Sequence, residues 1–253
     1  MPAAPQRGAG KAPAIGYRYQ AKTSRVEYES VFDREAQGWP AKQGRPPIPG
    51  MVIYAQVDGG FSAWDPARNY WRKDVPDGPD RPDSFVFEPD EVWEGLPRGQ
   101  GKKLCNGLIA DWASWQREKG QAFEQLTAVL RALSPSEQEP LVPGKLTRVS
   151  LDDVRDQPTL VMPYGEHVPL VHASAGIRRI VALAYLLVWT WQEHVQAAEL
   201  LGKQPVREII FLIDELEAHL HPQWQRRIVP ALLEVMEALT GDHDVPVQLV
   251  AAT

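Results

Sequence analysis

Two adjacent acidic residues follow an aliphatic run in the segment VREIIFLIDELEAHLHP, residues 206–222. The run over residues 208–213 predicts a parallel strand that is covered on both faces. Ligands bind outside the carboxyl ends of such strands, which is where Asp214 and Glu215 fall. One carboxylate there can hold a hydrated magnesium ion beside a nucleotide phosphate, and the next can polarise an attacking water. The pattern predicts a Walker B strand; the alternative is that both acids start a helix or face solvent.

A second group of residues suited to phosphate chemistry lies in the segment HASAGIRRIVALAYLLVW, residues 172–189. Its small residues precede a long apolar helix, whose first N–H groups and positive dipole end form an anion site. Gly176 permits close backbone approach, and the Ser174 hydroxyl can donate to a phosphate oxygen. The alternative is that Ser174 only caps the helix and that its small neighbours, including Ala175, only pack tightly.

The histidines of the same chain allow a different site. An HxH pair at a strand end can bind zinc, so His219 and His221, with Asp214 nearby and His194 elsewhere, are also compatible with a zinc hydrolase. Such a site needs further ligands at fixed spacing, and the single cysteine, Cys105, is remote in the sequence. The histidine pair is better explained by helix capping and interface contacts.

The elements around these residues are predicted by local signals. Ser174 is a good N-cap for a helix over residues 175–201, which Gly202 ends. Pro222 suits the first turn of a helix that continues through residue 239, and residues 247–251 form a second buried strand. The order strand, helix, strand predicts a right-handed crossover and a parallel sheet. The longest apolar run, residues 180–191, is shorter than a membrane span and predicts a core helix.

Composition excludes several classes of protein. The chain has 253 residues, of which 43% are hydrophobic and 24% charged, and this predicts a soluble protein with a sizeable core. The net charge of -6 gives no general basic footprint, so any contact with nucleic acid must rest on a local patch such as the paired arginines at 178–179 and 226–227. The N-terminus lacks the apolar core of a secretory signal and the single cysteine cannot form an internal disulfide, which predicts a cytoplasmic protein with no membrane partner.

The last third of the chain resembles the C-terminal half of an ABC-type ATPase. The resemblance rests on the small-residue turn, the long apolar helix after it, and the segments FLIDELEAHLHPQWQRR and VQLVAAT, in this order. The branch that they resemble includes RecF, SMC and OLD-family proteins and the AAA-labelled ATPases of phage-defence operons. The resemblance covers about residues 171–253. It implies an α/β P-loop NTPase (ABC-type) fold that is incomplete, with a β-rich N-terminal region and a helical insertion.

The resemblance also implies a role for each site residue. Asp214 corresponds to the magnesium ligand and Glu215 to the catalytic glutamate, with ATP and Mg²⁺ as cofactors. The signature motif, which closes over the γ-phosphate held by the opposite subunit of a homodimer, corresponds to Ser174, Ala175 and Gly176. The D-loop that crosses the dimer interface corresponds to the segment that contains Glu217, His219 and His221.

Four regions are predicted along the chain. Residues 1–14 form a disordered leader, residues 15–89 a β-rich region and residues 90–140 a helical arm. Residues 141–253 form the C-terminal part of the ATPase domain, with the signature motif, Walker B strand and D-loop.

One component of the resemblance is missing from the sequence. None of the four Gly-Lys pairs fits the phosphate-binding loop GxxxxGK[ST]. We therefore expect a fragment, with that loop upstream of Met1 and a switch histidine downstream of Thr253, which is inactive alone; a pseudo-ATPase is the other possibility. The complete protein is expected to couple ATP hydrolysis to an effector nuclease or DNA-associated partner, in DNA maintenance or phage defence. The alternative is a non-catalytic interaction module derived from an ATPase.

Overall fold

The computed structural model describes residues 12–20, 25–35, 40, 50–69, 83–98, 101–206, 208–215, 220, 222–240 and 246–252. The chain forms two compact units, residues 1–49 and residues 50–253. The first unit contains one antiparallel hairpin of β1 (Ala14–Gln20) and β2 (Arg25–Val31). The predicted leader lies largely outside the described residues.

The second unit is built on a five-stranded mixed sheet. Its strands are β3 (Met51–Ala55), β4 (Phe61–Trp64), β5 (Phe85–Phe87), β11 (Ile209–Asp214) and β12 (Val247–Ala252), in the order β12-β11-β3-β4-β5. The strands β12, β11 and β3 run parallel, and β4 and β5 are antiparallel additions. The parallel β11–β12 pair confirms the prediction for the end of the sequence.

The two faces of this sheet are covered unequally. On one face Ile209, Phe211 and Ile213 of β11 are buried, and Met51 and Ile53 lie beside them in register on β3. On the other face, the β11 residues at 210 and 212 are only half-buried. The prediction that β11 is covered on both faces is therefore wrong for the second face. An aliphatic run shows that both faces of a strand are apolar enough to be buried. It does not show that a helix packs on each face.

Helices cover the buried face and pack on one another. They are α1 (Pro89–Glu94), α2 (Leu108–Glu118), α3 (Gln121–Ala132), α4 (Ala175–Leu200) and α5 (Pro222–Thr240). On the sheet side, the Trp189 ring of α4 meets the rings of Phe85 and Phe87 edge to face, with centroids 5.4 and 5.2 Å away. Helix α3 packs against both α4 and α5, so the three helices form one layer.

The long helices follow the predictions closely. Ser174 is the N-cap of α4, Gly202 follows its end with a φ of 61°, and α5 begins at Pro222. The apolar run of α4 lies in the core. Within the described part of the chain, no helix combines the length and the hydropathy that a bilayer crossing needs.

Three short antiparallel strand pairings lie elsewhere in the second unit. They join β6 (Leu96–Arg98) to β7 (Lys102–Cys105), and link β8 (Val142–Pro143), β9 (Thr159–Val161) and β10 (His167–Pro169) in one small sheet. The main sheet thus draws its strands from both ends of the second unit, and the smaller sheets and α1 to α4 lie between them in the sequence.

A glycine permits the close approach of β3 and β11 at the start of their pairing. Gly50 has a φ of 92°, and a Cβ built on it would collide with the backbone carbonyl of Glu208. The same carbonyl accepts a hydrogen bond of 2.9 Å from the Met51 N–H. Only glycine combines this backbone conformation with this approach.

Candidate functional site

The predicted acid pair lies at the carboxyl end of the sheet. Asp214 is the last residue of β11, where it pairs in register with Ala252 of β12, and it is half-buried. Glu215 follows immediately and is exposed. Strand β11 lies between two parallel neighbours, so the pair sits at the edge where parallel sheets bind their ligands.

The backbone of Glu215 has an unusual conformation. Its φ is 44°, in the left-handed region that costs a residue with a Cβ about 1–2 kcal/mol. A hydrogen bond of 2.9 Å from the Glu215 N–H to the Ala252 carbonyl joins this residue to the end of β12. Sterically strained residues concentrate at functional sites, where the surrounding structure holds them in place.

The small-residue turn lies at the N-terminus of α4. The Ser174 side chain caps the helix by accepting a hydrogen bond of 3.4 Å from the Ile177 N–H. A hydroxyl that accepts in this way still has its own hydrogen to donate. Ser174 and Ala175 are exposed and Gly176 is half-buried, so a ligand can approach the turn. The capping role and the phosphate-binding role are therefore compatible.

Two arginines just inside α4 are anchored in ways that the sequence did not indicate. The Arg179 guanidinium donates to the Val57 carbonyl at 2.7 Å and to the Gln56 carbonyl at 3.3 Å. The Arg178 guanidinium lies 4.9 Å from the centre of the Trp93 ring, in a cation–π contact. The only sequence signal was the arginine pair itself, which is more often a solvated helix face.

The N-terminus of α4 and the end of β11 border one cavity. This cavity of about 250 Å³ is lined by Ala175 and Arg179 from α4, by Ile213 from β11 and by the turn after β3. Burial lowers the pKa of the Arg179 guanidinium, while the nearby carboxylates of Asp58 and Glu215 act in the opposite direction. The two sequence motifs therefore border a common region of the second unit.

The predicted D-loop residues Glu217, His219 and His221 lie outside the described residues. Between them Leu220 is buried and lines the same cavity. Leu220 therefore lies at this cavity, two residues before α5 begins.

His194 is a structural residue and is not available as a metal ligand. Its Nε2 accepts a hydrogen bond of 2.9 Å from the Val206 N–H, so Nδ1 carries the proton and donates to Asp65 at 2.7 Å. The His194 and Asp65 side chains are only 1% and 3% exposed. Among the described residues, no three His, Cys, Asp or Glu side chains are grouped to hold a metal ion.

The described residues nevertheless fit the way proteins hold magnesium. Mg²⁺ usually takes one or two carboxylates, with waters and substrate phosphates as its other ligands. Asp214 offers such a carboxylate at the sheet edge. A cluster of several protein ligands is not needed there.

A buried polar network lies apart from this site. The Tyr185 hydroxyl donates to Asp111 at 2.8 Å and lies 2.9 Å from the Cys105 sulfur. Burial raises the pKa of the Cys105 thiol to about 11, and burial also raises the pKa of Asp111 and of Tyr185. The thiol is therefore protonated at neutral pH, and its role is structural.

Comparison with known proteins identifies the family. A family model described as "AAA domain, putative AbiEii toxin, Type IV TA system" matches residues 53–253. A comparison with curated proteins gives no match. The matched residues include β11, α4 and both predicted motifs, and they make up most of the chain. The chain therefore belongs to this family of AAA domains, which are nucleotide-binding ATPase domains of the P-loop class.

Proposed function

We propose that residues 50–253 form the part of an ATP-hydrolysing domain that supplies the magnesium ligand and the catalytic base. Asp214 holds the magnesium ion of Mg-ATP, and Glu215 accepts a proton from the attacking water. The observation that carries the proposal is the position of this acid pair. It follows the central parallel strand β11, and the glutamate is held in a strained backbone conformation.

The reaction is phosphoryl transfer to water. The water oxygen bonds to the γ-phosphorus, and the bond between that phosphorus and the β,γ-bridging oxygen breaks. The water proton passes to the Glu215 carboxylate, whose exposed position leaves room for a water between it and a phosphate. Asp214 would hold magnesium here, and the ion would neutralise negative charge on the phosphates.

The 174–176 turn acts on the nucleotide of a second subunit in this proposal. Its hydroxyl hydrogen and the first helical N–H groups can donate to an anion, and the turn is open to solvent. A homodimer would pair this turn with the acid pair of the other subunit, and the segment containing Glu217, His219 and His221 would cross the interface. An effector nuclease or a DNA-associated partner would respond to the nucleotide state of this dimer.

In this proposal a phosphate-binding loop is supplied by sequence outside residues 1–253. Two features support an addition on the β12 side of the sheet. Within the described residues no strand pairs with the outer edge of β12, where Val250 is 49% exposed. The second face of β11 is also only half-covered, so it can accept a further helix.

The test extends the coding sequence on both sides until the protein includes an in-frame GxxxxGK[ST]. This protein should hydrolyse ATP with magnesium, whereas residues 1–253 alone should not. Glu215→Gln should retain ATP binding and lose about 10²- to 10⁴-fold in kcat, because the amide cannot accept the proton. Asp214→Asn should raise the magnesium concentration needed for half-maximal turnover, because a neutral amide binds the ion more weakly than a carboxylate does.

The matched control is Glu199→Gln, an exposed glutamate near the end of α4 that should keep full turnover. Unchanged turnover in Glu215→Gln would show that this residue is not the base. Robust hydrolysis by residues 1–253 alone would show that a P-loop from elsewhere is not required.

A second function has one specific observation in its favour, which is the absence of GxxxxGK[ST] from residues 1–253. In this alternative the domain is a non-catalytic interaction module. Its capture of a partner protein would then be the same with or without ATP, and the same for Glu215→Gln. The ATPase proposal instead requires that nucleotide changes the amount of partner bound.

A further inference from the structure

Arg179 connects α4 to the turn that follows β3. Its guanidinium is half-buried and donates to two successive backbone carbonyls, those of Val57 and Gln56. A guanidinium is planar and presents its N–H groups in a fixed fork, so it can hold two carbonyls at once and fix their direction.

The turn that Arg179 holds is itself well fixed. The Gln56 N–H donates to the Gly60 carbonyl at 3.0 Å, and the Gly60 N–H donates to the Asp58 carboxylate at 2.8 Å. The turn continues directly from Ala55, which pairs in register with Ile213 of β11. The guanidinium therefore contacts a rigid turn beside the strand that ends in the acid pair.

At its other end, Arg179 is fixed to the 174–176 turn by helical hydrogen bonding. The Arg178 N–H donates to the Ser174 carbonyl at 2.9 Å, so helical structure runs from the cap to the arginine. We infer that Arg179 is a positioning residue, which fixes the 174–176 turn relative to the sheet edge that carries Asp214 and Glu215. Its importance for turnover rests on the proposed function, whereas its positioning contact does not.

Substitution by lysine separates positioning from charge. Arg179→Lys keeps the positive charge but loses the planar fork, so it cannot bridge the two carbonyls in the same way. Arg178→Lys is the matched control one residue earlier. A lysine ammonium can also lie over the Trp93 ring, so this variant should keep its contact.

The first measurement is amide hydrogen exchange on residues 1–253. In Arg179→Lys, exchange should rise about tenfold at the start of α4 and in the 56–60 turn, because the contact that joins them is lost. Exchange in α2 and the melting temperature should stay as in the parent protein. Unchanged exchange at both segments would overturn the inference, and so would faster exchange throughout the chain with a lower melting temperature.

The second measurement uses the extended protein with its phosphate-binding loop. Arg179→Lys should lower kcat about tenfold with the KM for Mg-ATP unchanged, because a displaced turn misplaces a group needed in the transition state. Equal kcat, or the same loss in Arg178→Lys, would overturn the role in turnover. If the parent extended protein does not hydrolyse ATP, the proposed function fails, and the exchange measurement still decides whether Arg179 positions the turn.

Discussion

The left-handed backbone of Glu215 gives a prediction about stability as well as activity. Glycine at this position removes the contact between the Cβ and the backbone that makes a φ of 44° unfavourable. We expect Glu215→Gly to be more stable than Glu215→Ala. The alanine variant keeps the Cβ and also lacks the charge beside Asp214, so the comparison isolates the conformational effect.

The magnitude follows from two opposing effects. The left-handed conformation costs an L-residue about 1–2 kcal/mol, and glycine loses about 0.5–1 kcal/mol more chain entropy than alanine on folding. The net gain in the free energy of unfolding is about 0.5–1 kcal/mol. In a chain of this size that corresponds to a rise of about 1–4 °C in melting temperature.

The assay is urea unfolding of residues 1–253, followed by tryptophan fluorescence and by circular dichroism. Lys119→Gly is the matched control, since Lys119 has a φ of 53° at the end of α2, away from the site, and should gain as much over Lys119→Ala. In the extended protein, Glu215→Gly should lose turnover, whereas Lys119→Gly should keep it. A glycine variant of Glu215 no more stable than its alanine variant, alongside a gain at Lys119, would refute the idea that strain is held at the site.

Three further predictions concern the second unit as a whole. His194→Ala should lower the free energy of unfolding by about 1–3 kcal/mol in urea titrations, because it removes one hydrogen bond to the buried Asp65 carboxylate and leaves the Val206 N–H without its acceptor; a loss below about 0.5 kcal/mol would contradict this role. Gly50→Ala should lower the free energy of unfolding by more than about 2 kcal/mol in thermal unfolding, because the new Cβ meets both a positive φ and the Glu208 backbone. Gly120→Ala should lower it far less, because a Cβ at this position has nothing within 4 Å. Cys105, whose pKa burial raises to about 11, should react slowly with iodoacetamide at pH 8 until urea unfolds the chain. Because the unfolded thiol ionises first, the free energy of unfolding should fall between about pH 9 and pH 11, and Cys105→Ala should reduce that fall.

Local signals predicted the end of the chain well. The bounds of α4, α5, β11 and β12 lie within a residue or two of their predicted places. They were predicted from signals carried by neighbouring residues, which are the N-cap at Ser174, Gly202, Pro222 and two aliphatic runs. The placement of Asp214 and Glu215 at the sheet edge follows from the same signals. Their catalytic roles stay predictions.

Features that depend on distant contacts were not predictable in this way. The sequence predicted β3 to β5 as part of a separate β-rich region. The pairing of Met51 with Ile209, which joins them to β11, has no signal in the residues near either strand. The Arg179 contacts with the carbonyls after β3 likewise depend on how α4 is placed against the sheet. Glu215 is likewise held by the hydrogen bond from its N–H to the Ala252 carbonyl of β12, which no sequence pattern specifies.

The pairing of β3 with β11 also has a consequence for how the protein folds. The first strand of the second unit can form its parallel pair only after β11 has been synthesised, and β11 follows α1 to α4 in the sequence. Pairings of such high sequence separation close a long loop before they gain contacts, which slows folding. On the ribosome, α1 to α4 can form while β3 still lacks its parallel neighbour. The edge that carries Asp214 and Glu215 therefore assembles only after α1 to α4 have been synthesised.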